Sequence, residues 1–310
     1  MPMSEPLASH VDVTRDPFRA LVRTEGARLY RDLPWRRTRD PYGIWISEVM
    51  LQQTQVPRVL KRWEAWLGRF PSVEALAEAP VADVLAEWQG MGYNRRALAL
   101  KSAAESVARD HCGAFPHDAK ALCALPGIGP ATAQGIRSFA FDLPGVYLET
   151  NVRTVFLHHF FPEVPAVPDR ELVPLVRAAC PWGGGEDEDE AAGFAVPEDA
   201  GDTPRSWYYA LLDYGAQLKK EVPNPSRRSR SYTRQSKFEG SRRQKRALIV
   251  RLLLGAGEVG MDADEALAGV NRMEREAGRD AVDGQLVAGI LADLASEGFC
   301  VRDGGRWHIA

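Results

Sequence analysis

Leu125-Pro126-Gly127-Ile128-Gly129 lies between two short segments, 118–125 and 130–141, whose apolar residues recur at helical spacing. Two glycines around one apolar residue let the backbone turn sharply and present N–H groups at a helix N-terminus. That geometry suits a phosphate oxygen. Pro130 stands where a helix starts, and its missing N–H costs nothing there. Two helices joined by such a turn would grip a DNA backbone without reading its sequence. An ordinary interhelical turn reads the same way from this stretch alone.

Helical periodicity extends outward on both sides. Segments 57–70, 72–79, 81–88, 95–112 and 151–161 repeat it, and β-branched alternating runs are scarce until the end. The main body therefore reads as all-α, made of short helices and tight Gly/Pro turns. In the tail, 244–254 and 283–297 read as helices. Phe299–Arg302 and Arg306–Ile309 then flank Asp303-Gly304-Gly305, a strong hairpin signal. Helices followed by a β-hairpin predict a small winged-helix-like domain over 241–310, serving either packing or DNA contact.

The chain has 310 residues, 45% hydrophobic and 26% charged, which excludes the disordered, collagen-like and coiled-coil classes. The net charge of -3 conceals a segregation. Glu186–Glu190 is acidic throughout, within a Gly/Ala/Pro/acid-rich stretch over 183–204 that reads as a flexible loop. Lys219–Arg251 holds 12 Lys/Arg against 2 Glu, which is either an electrostatic footprint for phosphate or a solvated face. Cys112, Cys123, Cys180 and Cys300 have neither metal-ligand nor CxxC spacing and suit a reducing cytosol. The first 15 residues lack the apolar core of a signal peptide, and no stretch of about 18 apolar residues exists to span a membrane. These features predict a cytoplasmic chain without membrane partners.

Glu48 is the chemically conspicuous residue. It is flanked by Ile44, Trp45, Ile46, Val49, Met50 and Leu51. Desolvation there would raise its pKa and make it a usable general acid. The alternative is a structural carboxylate bridged to Arg36 or another base.

Three stretches together carry a family resemblance: 33–56 (from Leu33-Pro34-Trp35-Arg36 to Gln52-Gln53-Thr54-Gln55-Val56), Gly90–Ala97, and Leu125–Ala133. They resemble MutY-like adenine DNA glycosylases of the helix–hairpin–helix (endonuclease III) superfamily. The resemblance runs collinearly over about residues 21–217. It implies a two-lobed helical fold, a flipped-out base, and hydrolysis of its N-glycosidic bond. Glu48 matches the catalytic Glu that protonates the base. Glu149, in Leu148-Glu149-Thr150-Asn151-Val152, falls where the family carries an Asp that faces or traps the oxocarbenium ion. Should Glu149 not serve, Asp142 or Asp213 would be next. Arg31, Trp35, Arg36 and Tyr209 match base-pocket positions. Gln53, Thr54 and Tyr93 match residues that fill the gap and touch the opposite base. Leu125, Gly127, Gly129, Ala131, Thr132, Asn151, Lys237, Arg242 and Arg243 are the expected DNA-backbone contacts.

Departures from the family pattern shape the expectation. Glu149 is one methylene longer than the family Asp. The four cluster cysteines are replaced by Lys219, Ser226, Ser229 and Gln235, so no iron–sulfur cluster and no cofactor is expected, beyond a monovalent cation at the hairpin. Tyr209 stands where Gln or Glu is usual near the adenine. Ala131 stands at the Schiff-base lysine position of bifunctional relatives, with Lys120 in the preceding helix as a distant substitute. The tail is too short for the family's domain that inspects 8-oxoguanine.

The resulting expectation is a monofunctional glycosylase body over 15–240. It has a six-helix lobe (40–145) bearing the hairpin, a second lobe (15–39 with 146–240), and DNA across the cleft. The partner is duplex DNA with a damaged or mispaired base, bound by a monomer. Adenine opposite guanine or 8-oxoguanine leads. Hypoxanthine, uracil or mismatched thymine is the enzymatic alternative, and a non-catalytic damage-binding protein is the alternative of another class.

Overall fold

The computed structural model describes residues 16–182, 202–234 and 236–310. The acidic stretch, apart from its last three residues, and Gln235 lie outside them. Among the described residues the chain is all-helical up to a C-terminal hairpin, as the periodicity predicts. The helices are α1 (Asp16–Leu29), α2 (Pro41–Leu51), α3 (Val56–Arg69), α4 (Val73–Glu78), α5 (Val81–Glu87), α6 (Arg95–Asp110), α7 (Ala119–Ala124), α8 (Pro130–Ala140), α9 (Thr150–Phe160), α10 (Asp169–Ala179), α11 (Pro204–Glu221), α12 (Arg242–Ala256), α13 (Ala263–Glu276) and α14 (Gly284–Ser296). Strands β1 (Cys300–Asp303) and β2 (Arg306–Ile309) follow. They pair antiparallel, with Cys300 opposite Ile309 and Asp303 opposite Arg306.

Helix starts carry their own chemistry. Ser72, Asp118, Ser241 and Asp283 each accept a hydrogen bond from a backbone N–H three residues on, satisfying an orphan donor of the first turn. Thr203 and Asp262 form reciprocal caps with Ser206 and Glu265.

The chain divides into two compact units: residues up to Val49 with Phe115–Arg234, and Met50–Ala114 with Gln235–Ala310. This division cuts across the expected segments 40–145 and 241–310. The hairpin between α7 and α8 shares a unit with α9 and α11. The tail does not stand apart, because α12 packs on α5. In the first unit α11 packs against α1, α8 and α9. Val152, Val155 and Phe156 from α9 meet a core that includes Trp207, Tyr208 and Leu211 from α11, all fully buried. Each such apolar side chain contributes on the order of 2 kcal/mol. In the second unit Trp66 and Trp88 pack edge to face, with centroids 5.4 Å apart. α12, α13 and α14 enclose Val250, Val270, Ile290 and Leu291, with Phe299 buried beside the hairpin.

Part of the basic run turns inward. Lys245 is buried and ion-paired with buried Glu274, which Arg279 also holds through two hydrogen bonds. These cations depress the Glu274 carboxyl to about 2. Lys245 is therefore a core element, not part of a phosphate-facing surface.

Candidate active site

α2 places Glu48 in the first unit. The helix starts at Pro41, and the Asp40 carboxylate accepts from the N–H groups of Tyr42 and Gly43. Ile44, Trp45, Ile46, Ser47, Val49 and Met50 are all buried, and Glu48 is the only acidic or basic side chain of this helix. Glu48 keeps a partial opening to solvent, yet protein atoms surround its carboxyl. Burial pushes that carboxyl up to about 8. The Tyr147 hydroxyl donates to Oε2 of Glu48 at 2.9 Å and opposes the shift, whereas the neighbouring charge of Glu149 adds to it.

Gly135 makes room for this pair. A Cβ there would collide with Oε2 of Glu48, and would stand 2.9 Å from its Cδ and 3.0 Å from Cε2 of Tyr147. Only a residue without a side chain lets α8 pass so close to the carboxyl. Tyr147 is itself fixed. Its backbone N–H donates to the Tyr208 hydroxyl at 3.2 Å, and that hydroxyl donates to the Gly145 carbonyl. Phe139 packs edge-on against Tyr147, at 5.1 Å between centroids.

Glu149 is the N-cap of α9. Its Oε2 accepts from the backbone N–H of Asn151 at 3.2 Å, and its Oε1 accepts from Asn151 Nδ2 at 3.1 Å. Burial pushes Glu149 upward, while the Asn151 N–H and the charges of Lys219 and Arg153 pull the other way. The Asn151 side chain, predicted to meet DNA, is thus turned onto Glu149 in this structure.

The predicted base-pocket residues converge, with a correction to their roles. Asp213 is buried and holds both Arg31 and Arg36. Arg31 donates through Nε at 2.6 Å, and Arg36 donates through Nη1 and Nη2 at 2.7 and 2.9 Å. Arg36 therefore does not bridge Glu48, which removes the structural-carboxylate alternative through that arginine. Asp142 is likewise engaged, by Arg39 and by the N–H of Arg205. Tyr209 stacks flat on Phe139 at 4.4 Å, with the Arg36 guanidinium 4.3 Å over its ring centre. Burial and the Glu48 charge raise its hydroxyl pKa. Trp35 is buried. An open cavity of about 1050 Å³ lies against Arg36 and Tyr209, but neither Glu48 nor Glu149 lines it.

At the hairpin, Gly127 has φ +72°, a conformation that favours glycine, and the Ile128 N–H donates back to Leu125 O at 3.2 Å. Gly127, Gly129 and Ala131 are exposed. Leu125, Ile128 and Thr132 are buried, so of the predicted backbone contacts Leu125 and Thr132 anchor the turn from below. Lys120 and Ala131 line one cavity of about 580 Å³.

Ser226 and Ser229, at two of the expected cluster positions, are buried and already hydrogen-bonded. The Ser226 hydroxyl donates to Asn224 Oδ1 at 2.7 Å, and Ser229 Oγ accepts from Ser231 N. Val167 stitches their loop by accepting from Arg230 N and donating to Arg228 O. Two committed hydroxyls and the Lys219 ammonium do not fit iron held by thiolates. Among the described residues no group of three or more His, Cys, Asp or Glu could hold a metal ion. None of their helices is long and apolar enough to cross a membrane.

In the second unit, Gln53 and Tyr93 both have left-handed backbones, at φ +56° and +50°. Thr54 lies within 3.4 Å of Arg96 Nη2, which also donates to the Met91 and Gly92 carbonyls. Arg243 donates to the Tyr93 hydroxyl at 2.6 Å. Lys237 is exposed, and Arg242 pairs with Asp293.

The site thus joins, within one all-helical unit, an exposed glycine hairpin and two enclosed carboxylates. Residues 46–172 match the model of the HhH-GPD superfamily base excision DNA repair protein. The adenine DNA glycosylase of Mycobacterium tuberculosis (strain H37Rv) is 45% identical over 129 residues, 41% of this chain and 42% of the relative. The Homo sapiens adenine DNA glycosylase is 39% identical over 134 residues, 40% of this chain and 24% of that protein. The matched stretch thus spans about 42% of the length of the mycobacterial relative. Among solved structures, a thermostable thymine-DNA glycosylase aligns with TM-score 0.53 and 25% identity, covering 66% of this chain and 86% of that one. A trapped endonuclease III–DNA covalent intermediate shares the fold, with TM-score 0.50 and 14% identity over 75% of this chain and 93% of that chain.

Proposed function

We propose that this protein is a monofunctional DNA glycosylase of base excision repair that hydrolyses the N-glycosidic bond of a flipped-out, mispaired base. Adenine opposite guanine or 8-oxoguanine is the leading substrate. The observation that carries this reading is the Glu48 carboxyl, enclosed on α2, held by Tyr147 and sensing the charge of Glu149. An acid titrating at about 8 keeps its proton at neutral pH and can deliver it to a ring nitrogen of the base. The C–N bond then breaks with its electron pair going to the base. Glu149, whose carboxyl burial raises against the opposing pull of the Asn151 N–H and Lys219, faces the oxocarbenium ion in its charged form until water adds. The relatives named adenine DNA glycosylase support the substrate.

Tyr209 favours a second reading. Stacked on Phe139 beneath Arg36, it lacks the paired donor and acceptor of an amide or carboxylate. Together with the resemblance to a thymine-DNA glycosylase structure, this supports another mispaired base, thymine among them. The protein works in the cytoplasm as a monomer on duplex DNA, without an iron–sulfur cluster and with at most a monovalent cation at the hairpin. Metal analysis of the pure protein should therefore find no stoichiometric iron. The deciding experiment is a panel of duplexes, each with one altered or mispaired base, treated with alkali after incubation. Cleavage at adenine opposite guanine or 8-oxoguanine supports the first reading, and cleavage at thymine opposite guanine supports the second. Cleavage of none supports a non-catalytic binder.

A further inference from the structure

The first unit holds an open cavity of about 1050 Å³ between α1 and the start of α11. Thr203 caps α11 and Pro204 opens it, so the Arg205 backbone N–H has no helical carbonyl to meet and donates to Asp142 instead, at 3.0 Å. Arg205 lines the cavity yet is only 9% exposed. Its Nη2 donates to the Arg36 and Thr38 carbonyls at 2.8 and 2.7 Å. Its Nη1 is buried without a hydrogen bond, and among the described residues no carboxylate pairs with this side chain. A buried donor in that state is costly unless a ligand supplies an acceptor. Arg23, Arg36 and Arg39 also line the cavity, held by Asp202, Asp213 and Asp142 respectively. Asp213 must serve Arg31 as well. Five guanidiniums thus share three carboxylates, an excess of two positive charges. Burial lowers the Arg205 pKa and the Arg39 charge adds to that, against the pull of Tyr209 and Asp142. Tyr30, just past α1, is 55% exposed at the cavity, with the Arg36 guanidinium 5.4 Å from its ring centre.

We propose that this cavity binds a nucleotide through its phosphate monoester, with the phosphate on Arg39 and Arg205 and the base against the Tyr30 ring. A monoester carries about −1.5 to −2 charges at neutral pH, which matches the excess on the arginines, whereas a backbone diester carries only one. Guanidinium forks fit phosphate oxygens in paired hydrogen bonds. An exposed aromatic face stacks any base, so the site selects for the phosphate and not for base identity. The cavity is roomy enough for such a ligand. A free mononucleotide carries a monoester, and hydrolysis of a phosphodiester leaves one at a strand end. The site needs neither Glu48 nor Glu149, so it stands apart from the glycosylase reading and from whichever base is excised.

The test is calorimetric titration of the full chain with dAMP, dTMP and deoxyadenosine. Beside it, equilibrium binding is measured for one single-stranded oligonucleotide carrying either a 5′-phosphate or a 5′-hydroxyl. dAMP and dTMP should bind alike, and deoxyadenosine about tenfold more weakly or worse, as for loss of a charged hydrogen-bonding group. Arg39→Ala should weaken both nucleotides by about tenfold for the same reason, and Arg39→Lys should restore part of the loss. Tyr30→Leu should weaken both by about tenfold through lost stacking. Arg275→Ala removes an exposed arginine of the other unit and should change neither. A preference confined to the 5′-phosphorylated oligonucleotide and lost in Arg39→Ala identifies a strand end as the source and keeps the site. If no monoester binds better than its hydroxyl counterpart, the proposal is wrong. It is equally wrong if Arg39→Ala acts no more strongly than Arg275→Ala, because the arginines are then ordinary surface charge.

Discussion

The Tyr147 hydroxyl donates its hydrogen bond to Oε2 of Glu48, leaving Oε1 as the oxygen free to carry a transferable proton. Because a donor favours the ionised form, this bond holds the Glu48 pKa below what burial alone would give. Tyr147→Phe should therefore move the alkaline limb of the excision profile to higher pH. It should also lower single-turnover excision by about 2–10-fold through lost orientation, as for a typical net hydrogen bond. A packing role alone would leave the pH profile where it is.

Glu48 should also mark the stability of the chain. Its carboxyl titrates at about 8 when folded, against an ordinary 4.5. The folded state binds this proton more tightly, so stability falls as pH rises between those two values. Glu48→Gln removes the loss. Its melting temperature should exceed the wild type above about pH 8 and approach it below about pH 5. Parallel melting curves across that range would show a carboxyl that titrates normally.

Ala131 carries no amine, and Lys120 on α7 lines the same cavity. Base removal should leave an unbroken abasic strand that breaks only with alkali, and borohydride should trap no covalent adduct. Equal cleavage with and without alkali would assign lyase chemistry, with Lys120→Ala then deciding whether that lysine performs it.

Glu149 caps α9 as well as facing the site, so its variants separate two roles. Glu149→Gln keeps a capping oxygen and removes the charge. It should bind DNA with little change and lose excision severely. Glu149→Asp restores the charge at shorter reach and should regain part of the activity. If Glu149→Gln is as active as wild type, the oxocarbenium partner lies elsewhere. Asp142 and Asp213 are then poor substitutes, each already bound to arginines.

Much of this site was legible in the sequence because it depends on local pattern. An acid inside Ile44-Trp45-Ile46-Ser47-Glu48-Val49 can only be desolvated, and the Gly127-Ile128-Gly129 turn can only be a tight one. Tyr147 was not legible. Val146-Tyr147-Leu148 reads as an apolar connection, and its hydroxyl gains meaning only when α8 brings Gly135 against Glu48. The usable signal was that a buried tyrosine needs a partner for its hydroxyl. The clamp of Asp213 on Arg31 and Arg36 spans about 180 residues, a separation that periodicity does not register. The periodicity likewise does not register α10, α11 and α13, and a charge run does not reveal that Lys245 faces Glu274.

The central claim is that Glu48 is the acid that releases the base. The most direct measurement is single-turnover excision by Glu48→Gln on the best duplex of the panel, with DNA affinity measured on the same preparation. Retained affinity with excision reduced by about 100-fold or more is the predicted result, since general acid catalysis is typically worth about 10²–10⁴-fold. Retained affinity with near-normal excision would contradict it and leave Glu48 a structural carboxylate.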